Sequence, residues 1–243
     1  MELNYHEALT RPILAAHGFG LGAQAVVIAG NWATDIWTLG PLASTAQGRA
    51  VSRFHFLNLS TPEEIAAQWI WLEAHAAQTL AQLPSTYIAL RELGQMLHCV
   101  QDFYAHTNWV ELNLAAGATT VPLWEEGPVA GVSLDGLLSA YYPDRAAPRR
   151  EVEHHRLHKD HPWCAAGPKT FDAALDAAHR ATELWLPRFV RHMPTPMRAQ
   201  VSRLPRFMYE SFVLASVGWI DRLGLPRWIG GGPAPWSNPT SSL

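Results

Sequence analysis

The stretch 97–112, LHCVQDFYAHTNWVEL, combines a helical pattern with regularly spaced polar residues. His98, Asp102 and His106 recur every fourth residue, and residues four apart share one face of a helix, about 6 Å apart along its axis. Asp102 is therefore well placed to bind a metal ion with either histidine. His98 and His106 are about 12 Å apart by the same rise, too far for one ion. The spacing predicts two or more ions, with Asp102 able to bridge them.

Apolar residues around this stretch predict the fold class. Leu90, Leu93, Leu97, Val100 and Tyr104 follow the three-and-four spacing of one apolar helical stripe. Comparable patterns, with capping residues and prolines at their ends, predict helices over 6–17, 24–37, 60–83, 85–114, 169–189, 197–223 and, briefly, 133–141. No strand ladder is visible. The sequence predicts an all-α, single-domain helical bundle over 1–228, followed by a Gly/Pro-rich tail at 229–243.

Composition narrows the range of partners. The 243 residues carry a formal charge of −3 without a basic block, which argues against a nucleic-acid polymer as the main partner. No apolar run of 18 residues and no secretory leader is visible, so we expect a cytoplasmic protein without a transmembrane segment. Cys99 and Cys164 are too few for a thiolate zinc site, and we expect two separate thiols.

Further candidate ligands lie outside the quoted stretch. His179 and Glu183 form a second pair four residues apart, and two such helices packed together would bring several ligands to one pocket. His6, Asp35 and His55 are scattered, and the polar run 153–161 adds further histidines and Asp160. Each of these has an alternative interpretation, as a hydrogen-bonded core histidine, a surface carboxylate or a solvated loop. Burying three polar groups among aromatics is costly without partners, which favours metal binding for the central helix.

Four stretches resemble the zinc-dependent phospholipase C / P1 nuclease superfamily, and most closely its Het-C-like branch. They are HEALTRP at 6–12, LGQMLHCVQDFYAHTNW at 93–109, LHKD at 157–160 and HRATE at 179–183. The resemblance implies an all-α fold of this type with a trinuclear zinc cluster that hydrolyses phosphodiesters. For this chain we expect two or three zinc ions.

The resemblance also implies a ligand set. His55, His98 and Asp102 would hold one zinc; His106, His179 and Glu183 a second; His6 and Asp102 the third. Asp35 would be a ligand or the carboxylate that orients the attacking water. In the secreted enzymes an N-terminal Trp also holds the third zinc, whereas this chain begins with Met1, so we expect His6 to lack that partner.

The spacing from Asp102 to His106 is shorter than in the family, and His155 or His158 would be substitute ligands. Lys159 and Asp160 are expected to fix their loop. Asn108 would support His106 from outside the ligand shell, and Tyr104 would either line a substrate pocket or pack, with packing favoured.

The predicted function is a metal-dependent hydrolase in which Asp35 and Asp102 are catalytic. Its substrate would be a phospholipid head group, a nucleotide or another small phosphoester. Histidine and carboxylate ligands also suit iron or manganese, which would allow a non-hydrolytic reaction on a small metabolite. A third interpretation is a non-catalytic, metal-stabilised protein that interacts through its apolar 206–220 segment.

Overall fold

The computed structural model describes residues 1–38, 42, 45–140 and 154–206. These residues contain helices and turns but no β-strand, which confirms the all-α prediction. The α-helices are, in order, α1 (Leu3–Ala16), α2 (Leu21–Trp37), α3 (Ala46–Val51), α4 (Pro62–Thr79), α5 (Thr86–His106), α6 (Trp109–Ala115), α7 (His154–Leu157), α8 (Pro168–Val190) and α9 (Thr195–Gln200).

Helix α5 forms the centre of the molecule. It begins after Ser85, whose hydroxyl accepts a hydrogen bond from the amide of Ile88, an N-cap that satisfies one of the free amides of the first turn. From Leu93 to its end every residue of α5 is buried, and α5 packs against α2 on one side and α8 on another. Its polar residues are therefore held inside the core, where they need partners.

Two glycines allow α2 and α5 to approach closely. A Cβ atom on Gly94 would lie 2.1 Å from the carbonyl oxygen of Val27, and one on Gly30 would lie 2.2 Å from that of Arg91. Gly30 weakens the helical pattern of α2 in the sequence, and this contact is the reason for its presence. The close approach sets Asn31 and Asp35 of α2 beside the polar residues of α5.

Helix α4 has the start that its sequence predicts. The hydroxyl of Thr61 accepts from the amide of Glu64, the Glu64 carboxylate accepts from the amide of Thr61, and Pro62 occupies the first turn. The helix ends at Thr79, a few residues before the predicted end at 83, and residues 80–82 form a turn.

Several predicted boundaries differ from the structure. The predicted helix 85–114 is two helices, because Thr107 is extended: its hydroxyl donates to the carbonyl of Phe103, and its own carbonyl accepts from Lys159. The predicted helix at 133–141 is one 3₁₀ turn, Leu134–Gly136. The helix predicted from 197 ends at Gln200. The rest of that prediction, from 207, and the tail 229–243 lie outside the described residues.

The described residues also bear on the membrane and cysteine predictions. None of the helices in these ranges is long and apolar enough to span a bilayer. Cys99 and Cys164 are both buried and free, as expected for two separate thiols. Burial raises the pKa of the Cys99 thiol.

Candidate metal centre

Asp102, near the C-terminal end of α5, is the fully buried centre of a polar cluster. Its Oδ2 lies 2.9 Å from Nδ1 of His55 and 2.9 Å from Nε2 of His98. Its Oδ1 lies 3.4 Å from Nε2 of His6, which comes from α1. Burial opposes ionisation of Asp102, but His106, His98 and the amino group of Met1 hold the pKa of this carboxyl well below its usual range.

Asp35, in the last turn of α2, forms the second carboxylate of the cluster. Its Oδ1 lies 3.6 Å from Nε2 of His98 and 3.8 Å from Nδ1 of His55, and its Oδ2 lies 3.8 Å from Nε2 of His6. The Asp35 side chain is 24% exposed, whereas those of His6, His98 and Asp102 are fully buried. Asp35 therefore marks an edge of the cluster that solvent reaches.

His55 lies outside the α-helices, and the turn around it fixes the position of its side chain. His55 ends a 3₁₀ turn, Ser52–His55, and Phe56 follows with a φ of 46°, a left-handed conformation that is unusual for a bulky residue. Phe56 is buried against Trp69 and Phe103, which holds this conformation in place. The packing thereby directs the His55 ring towards Asp102.

Each of the three histidines points its outer ring nitrogen at a hydrogen-bond acceptor. Nε2 of His55 lies 3.2 Å from the carbonyl oxygen of Thr34. Nδ1 of His98 lies 3.2 Å from Oδ1 of Asn31, and Nδ1 of His6 lies 2.7 Å from Oε1 of Gln101. A histidine that binds a metal through one nitrogen usually donates the N–H of its other nitrogen in this way.

The side-chain amides that act as acceptors are fixed by their own partners. The Thr182 hydroxyl donates to the carbonyl of Ala178, so it accepts from Nε2 of Gln101, which leaves Oε1 of Gln101 facing His6. Nδ2 of Asn31 donates to the same Oε1, which leaves Oδ1 of Asn31 facing His98. We infer the ring tautomers from these constraints: the outer nitrogens carry the hydrogens.

With its hydrogen on the outer nitrogen, a neutral imidazole presents the lone pair of its inner nitrogen to a carboxylate oxygen. Burial lowers the pKa of His98 to about 4, so that ring is neutral at pH 7. Its Nε2 lies 3.2 Å from Nδ1 of His55. Nε2 of His6 is buried and makes no hydrogen bond to the described residues. Lone pairs at such distances repel one another unless a cation lies between them.

The spacing of these atoms suits a metal ion. Bonds of about 2.0–2.1 Å to a tetrahedral zinc separate the ligand atoms by about 3.3 Å. The three separations among His55 Nδ1, His98 Nε2 and Asp102 Oδ2 are 2.9, 2.9 and 3.2 Å. Two groups of described residues bring potential ligand atoms within 4.8 Å of one another: His55, His98 and Asp102, and His6, Asp35 and His98.

A second part of the cluster surrounds His106, at the end of α5. Its Nδ1 lies 3.1 Å from the carbonyl oxygen of His55 and 3.2 Å from Oδ2 of Asp102, and its Nε2 lies 3.0 Å from Oδ1 of Asp160. Burial lowers the pKa of His106, but Asp102 and Asp160 outweigh it and raise the pKa to about 9. The amino group of Met1 lies 3.0 Å from both Asp102 and Asp160.

The predicted ligands of α8 do not join the cluster. Glu183 is exposed and His179 is half-buried, and neither belongs to the two ligand groups found among the described residues. Helix α8 instead turns Ala178 and Thr182 inward, and Thr182 contacts Gln101. A pair four residues apart predicts a shared face, but it does not predict which face the neighbouring helix meets.

Tyr104, Asn108 and His158 are also predicted at or near the site, and Tyr104 packs, as the sequence favours. Tyr104 is buried, its hydroxyl accepts from the amide of Trp124, and its ring packs against Phe103. Asn108 bonds to the backbone of Gly136 and Leu138 rather than to His106. His158 lies 3.0 Å from Asp160. The side chain of His155 lies outside the part of the structure that is described.

Sequence reasoning did not assign several members of the cluster. Asn31 and Gln101 orient two of the histidines, and Asp160 lies against His106 instead of only fixing its loop. Asn31 and Gln101 are polar residues within apolar helical patterns, in the same helices as the candidate ligands Asp35 and Asp102. That pattern is the only sequence signal for them, and it does not show which residues they contact. Lys159 does fix the loop, because its buried Nζ donates to Glu111 and to two carbonyls.

Residues 50–121 are similar to the family described as the VWA7 N-terminal domain. This stretch is less than a third of the chain, yet it includes His55, His98, Asp102 and His106. No curated protein and no solved structure matches the chain.

Proposed function

We propose that this chain is a metal-dependent hydrolase, and that its cluster binds zinc and cleaves a small phosphoester. The observation that carries the proposal is the orientation of three imidazoles, in which each outer nitrogen meets a fixed acceptor and each inner nitrogen faces Asp102 or Asp35. The amino group of Met1 donates to Oδ1 of Asp102, but a neutral imidazole whose outer nitrogen carries the hydrogen has none to donate from its inner nitrogen. A metal ion would use the lone pairs of these inner nitrogens.

The ligands fall into two groups around the two carboxylates. His55, His98 and one oxygen of Asp102 would hold one ion, and His6 with the other oxygen of Asp102 would hold a second. Asp35 lies near both groups. The motifs around His6 and His98 that resemble the zinc-dependent phospholipase C / P1 nuclease superfamily lie in these groups, which supports zinc and a phosphoester substrate.

The chain's own residues supply the remaining functions. Zinc, when bound, stabilises negative charge on a phosphoryl oxygen and lowers the pKa of water. Asp35 is the part of the cluster around Asp102 that solvent reaches, so we assign it to orienting the attacking water and accepting its proton. The chain carries a formal charge of −3 without a basic block, which favours a small phosphoester over a polyanionic polymer.

The test is hydrolysis by the purified full chain, loaded with zinc or stripped by a chelator. The substrates are bis(p-nitrophenyl) phosphate, p-nitrophenyl phosphate and, as a control, p-nitrophenyl acetate. We expect zinc-dependent release from a phosphoester, reduced roughly 10²–10⁴-fold in Asp35→Asn, the range for loss of a proton-transfer group. Asp176→Asn, an exposed carboxylate, is the matched control.

Two results would overturn the proposal. Stoichiometric zinc without hydrolysis of either phosphoester would indicate a structural metal site. Iron or manganese in place of zinc, again without hydrolysis, would favour a non-hydrolytic enzyme.

A further inference from the structure

A cavity of about 400 Å³ lies beside the turn that carries His55. Phe56, Leu57 and Leu59 give it an apolar wall, and the exposed Arg53 lies on its polar side. None of the residues of the candidate metal centre is among the described residues that line it. Its volume falls in the range of small-molecule sites, which combine an apolar lining with a few fixed polar groups. The cavity is therefore a candidate binding site separate from the metal centre.

The guanidinium of Arg53 is held in one orientation. Its Nε donates to Oε1 of Gln68 at 3.3 Å, and its Cζ lies 4.1 Å from the centre of the Trp71 ring. Gln68 is buried, and its Nε2 donates to the carbonyl of Arg53, which leaves its Oε1 facing the guanidinium. Trp71 packs in turn against Phe54 and His75. Because the guanidinium is already stacked and hydrogen-bonded, a ligand would not have to immobilise a free side chain.

The two terminal nitrogens of Arg53 have no partner within the part of the chain that the structure describes. The bond from Nε to Gln68 is the side chain's hydrogen bond there, and no carboxylate of these residues forms an ion pair with it. The planar fork of the guanidinium matches a carboxylate or a phosphate. An arginine that pairs with a neutral amide and an aromatic ring keeps its charge available for an anion.

Glu64 is the other charged residue among those that line the cavity. Its Oε2 accepts from the amides of Ser60 and Thr61, in the capping box of α4, and it does not form an ion pair with Arg53. Arg53 is therefore the cation that a ligand meets, while Glu64 would repel a second negative charge near it. This combination favours a ligand with a single anionic group.

The apolar wall of the cavity is fixed in an unusual backbone conformation. Phe56 and Asn58 have φ values of 46° and 61°, in the left-handed region. The amide of Asn58 donates to the carbonyl of Ala140, and the amide of Leu59 donates to the hydroxyl of Ser139. These bonds hold the segment in place, so the wall is formed before a ligand binds.

We propose that this cavity binds a small organic anion, with its carboxylate or phosphate group on Arg53 and its apolar body against Phe56, Leu57 and Leu59. Both head groups accept the parallel hydrogen bonds that a guanidinium donates, so the shared chemistry is that of an oxyanion attached to an apolar group. The inference goes beyond the proposed function and does not depend on it, because the cavity is lined by other residues than the candidate metal ligands.

The experiment titrates the ¹⁵N-labelled full chain, with zinc and after chelator treatment, with benzoate or phenyl phosphate. NMR follows the Nε–H resonance of Arg53, assigned from its absence in Arg53→Met, and the backbone amides of Leu57 and Leu59, which report binding in every variant. Benzylamine and benzyl alcohol have the same ring without the anionic group and are the ligand controls.

Two variants test the two parts of the site. Arg53→Met removes the cation, and Arg91→Met, at an exposed arginine of α5, is its control. Ala67→Phe places a ring in the cavity and keeps Arg53, and Ala77→Phe, at an exposed alanine of the same helix, is its control. Circular dichroism checks that each variant is folded.

We expect at least one of the two anions to bind saturably, with a dissociation constant of about 10 mM or lower, with or without zinc. Arg53→Met and Ala67→Phe should each weaken binding at least about 10-fold, the loss expected for a charge-assisted contact, and both controls should match wild type. A preference for benzoate or for phenyl phosphate would support the inference and identify the head group.

Three results would overturn the inference and leave the proposed function intact. They are the absence of binding by both anions, unchanged binding in Arg53→Met or Ala67→Phe, and binding of benzylamine or benzyl alcohol as tight as that of the anions. If Arg53→Met does not fold, Ala67→Phe and the wild-type titrations decide between the same outcomes.

Discussion

Replacing Gly94 by alanine tests whether the contact between α2 and α5 builds the metal centre. The new Cβ would lie 2.1 Å from the carbonyl oxygen of Val27 and 2.7 Å from the backbone nitrogen of Asn31. Ordinary contact requires the two helices to separate by about 1 Å or more. Because α2 carries Asn31 and Asp35, this movement draws both away from His98.

The magnitude follows from two opposing effects. Alanine is favoured over glycine inside a helix by about 1 kcal/mol, whereas overpacking of a well-packed contact costs about 1–3 kcal/mol and occasionally more. Since this clash is with backbone atoms, which have no alternative rotamer, we expect Gly94→Ala to lower the free energy of unfolding by about 2 kcal/mol. For a chain of this size the melting temperature would fall by roughly 4–8 °C.

The assay combines thermal unfolding by circular dichroism with zinc titration. Gly136→Ala is the control, because a Cβ there meets no atom within 4 Å. Gly94→Ala should melt earlier and bind zinc more weakly than wild type, while Gly136→Ala should do neither. If Gly94→Ala had wild-type stability and zinc affinity, the close approach of α2 and α5 would not be what positions the site.

Three further changes have expected outcomes. Thr61→Ala removes the cap of α4 and should cost about 1 kcal/mol in chemical denaturation; an unchanged midpoint would contradict the capping box. Lys159→Met leaves buried carbonyls without a donor and should cost about 3 kcal/mol, measured in the same way; a neutral result would mean that the loop is held by other contacts. The metal-free protein should be most stable near pH 6.5. Below that pH the unfolded chain binds a proton at His98 that the folded chain does not, down to about pH 4. Above it the folded chain retains a proton at His106 up to about pH 9, so stability falls as the pH rises. Each shift changes the free energy of unfolding by on the order of 3 kcal/mol. Urea denaturation across pH 4–9 measures this free energy, and the absence of a maximum near pH 6.5 would refute the prediction.

Local sequence signals predict much of the helical architecture. The apolar stripe of α5, the Ser85 cap and the Thr61–Glu64 capping box each act within one or two turns, so their residues specify a helix wherever it packs. The break at Thr107 could not be predicted in this way. It depends on Lys159, which is distant in sequence and reaches the Thr107 carbonyl only in the folded chain.

In the candidate site, too, contacts within one helix could be predicted, whereas contacts between distant parts of the chain could not. The spacing of His98, Asp102 and His106 on one helix predicts that Asp102 faces both histidines, and the structure has Asp102 within 3.2 Å of each. Contacts between elements follow from packing instead. Which residue of α8 faces α5, and whether Asp160 reaches His106, depend on helix rotation and loop path, which one sequence does not encode locally.

The most direct test of the metal centre is the metal content of protein purified without chelators, measured by ICP-MS for wild type and Asp102→Asn in parallel. Asp102 contacts both groups of imidazoles, so its loss should affect more than one ion. We predict at least two zinc ions per wild-type chain and loss of most of them in Asp102→Asn, with the metal-free forms equally folded. Wild-type protein without stoichiometric metal would show that the cluster is a buried hydrogen-bond network and would contradict the proposed function.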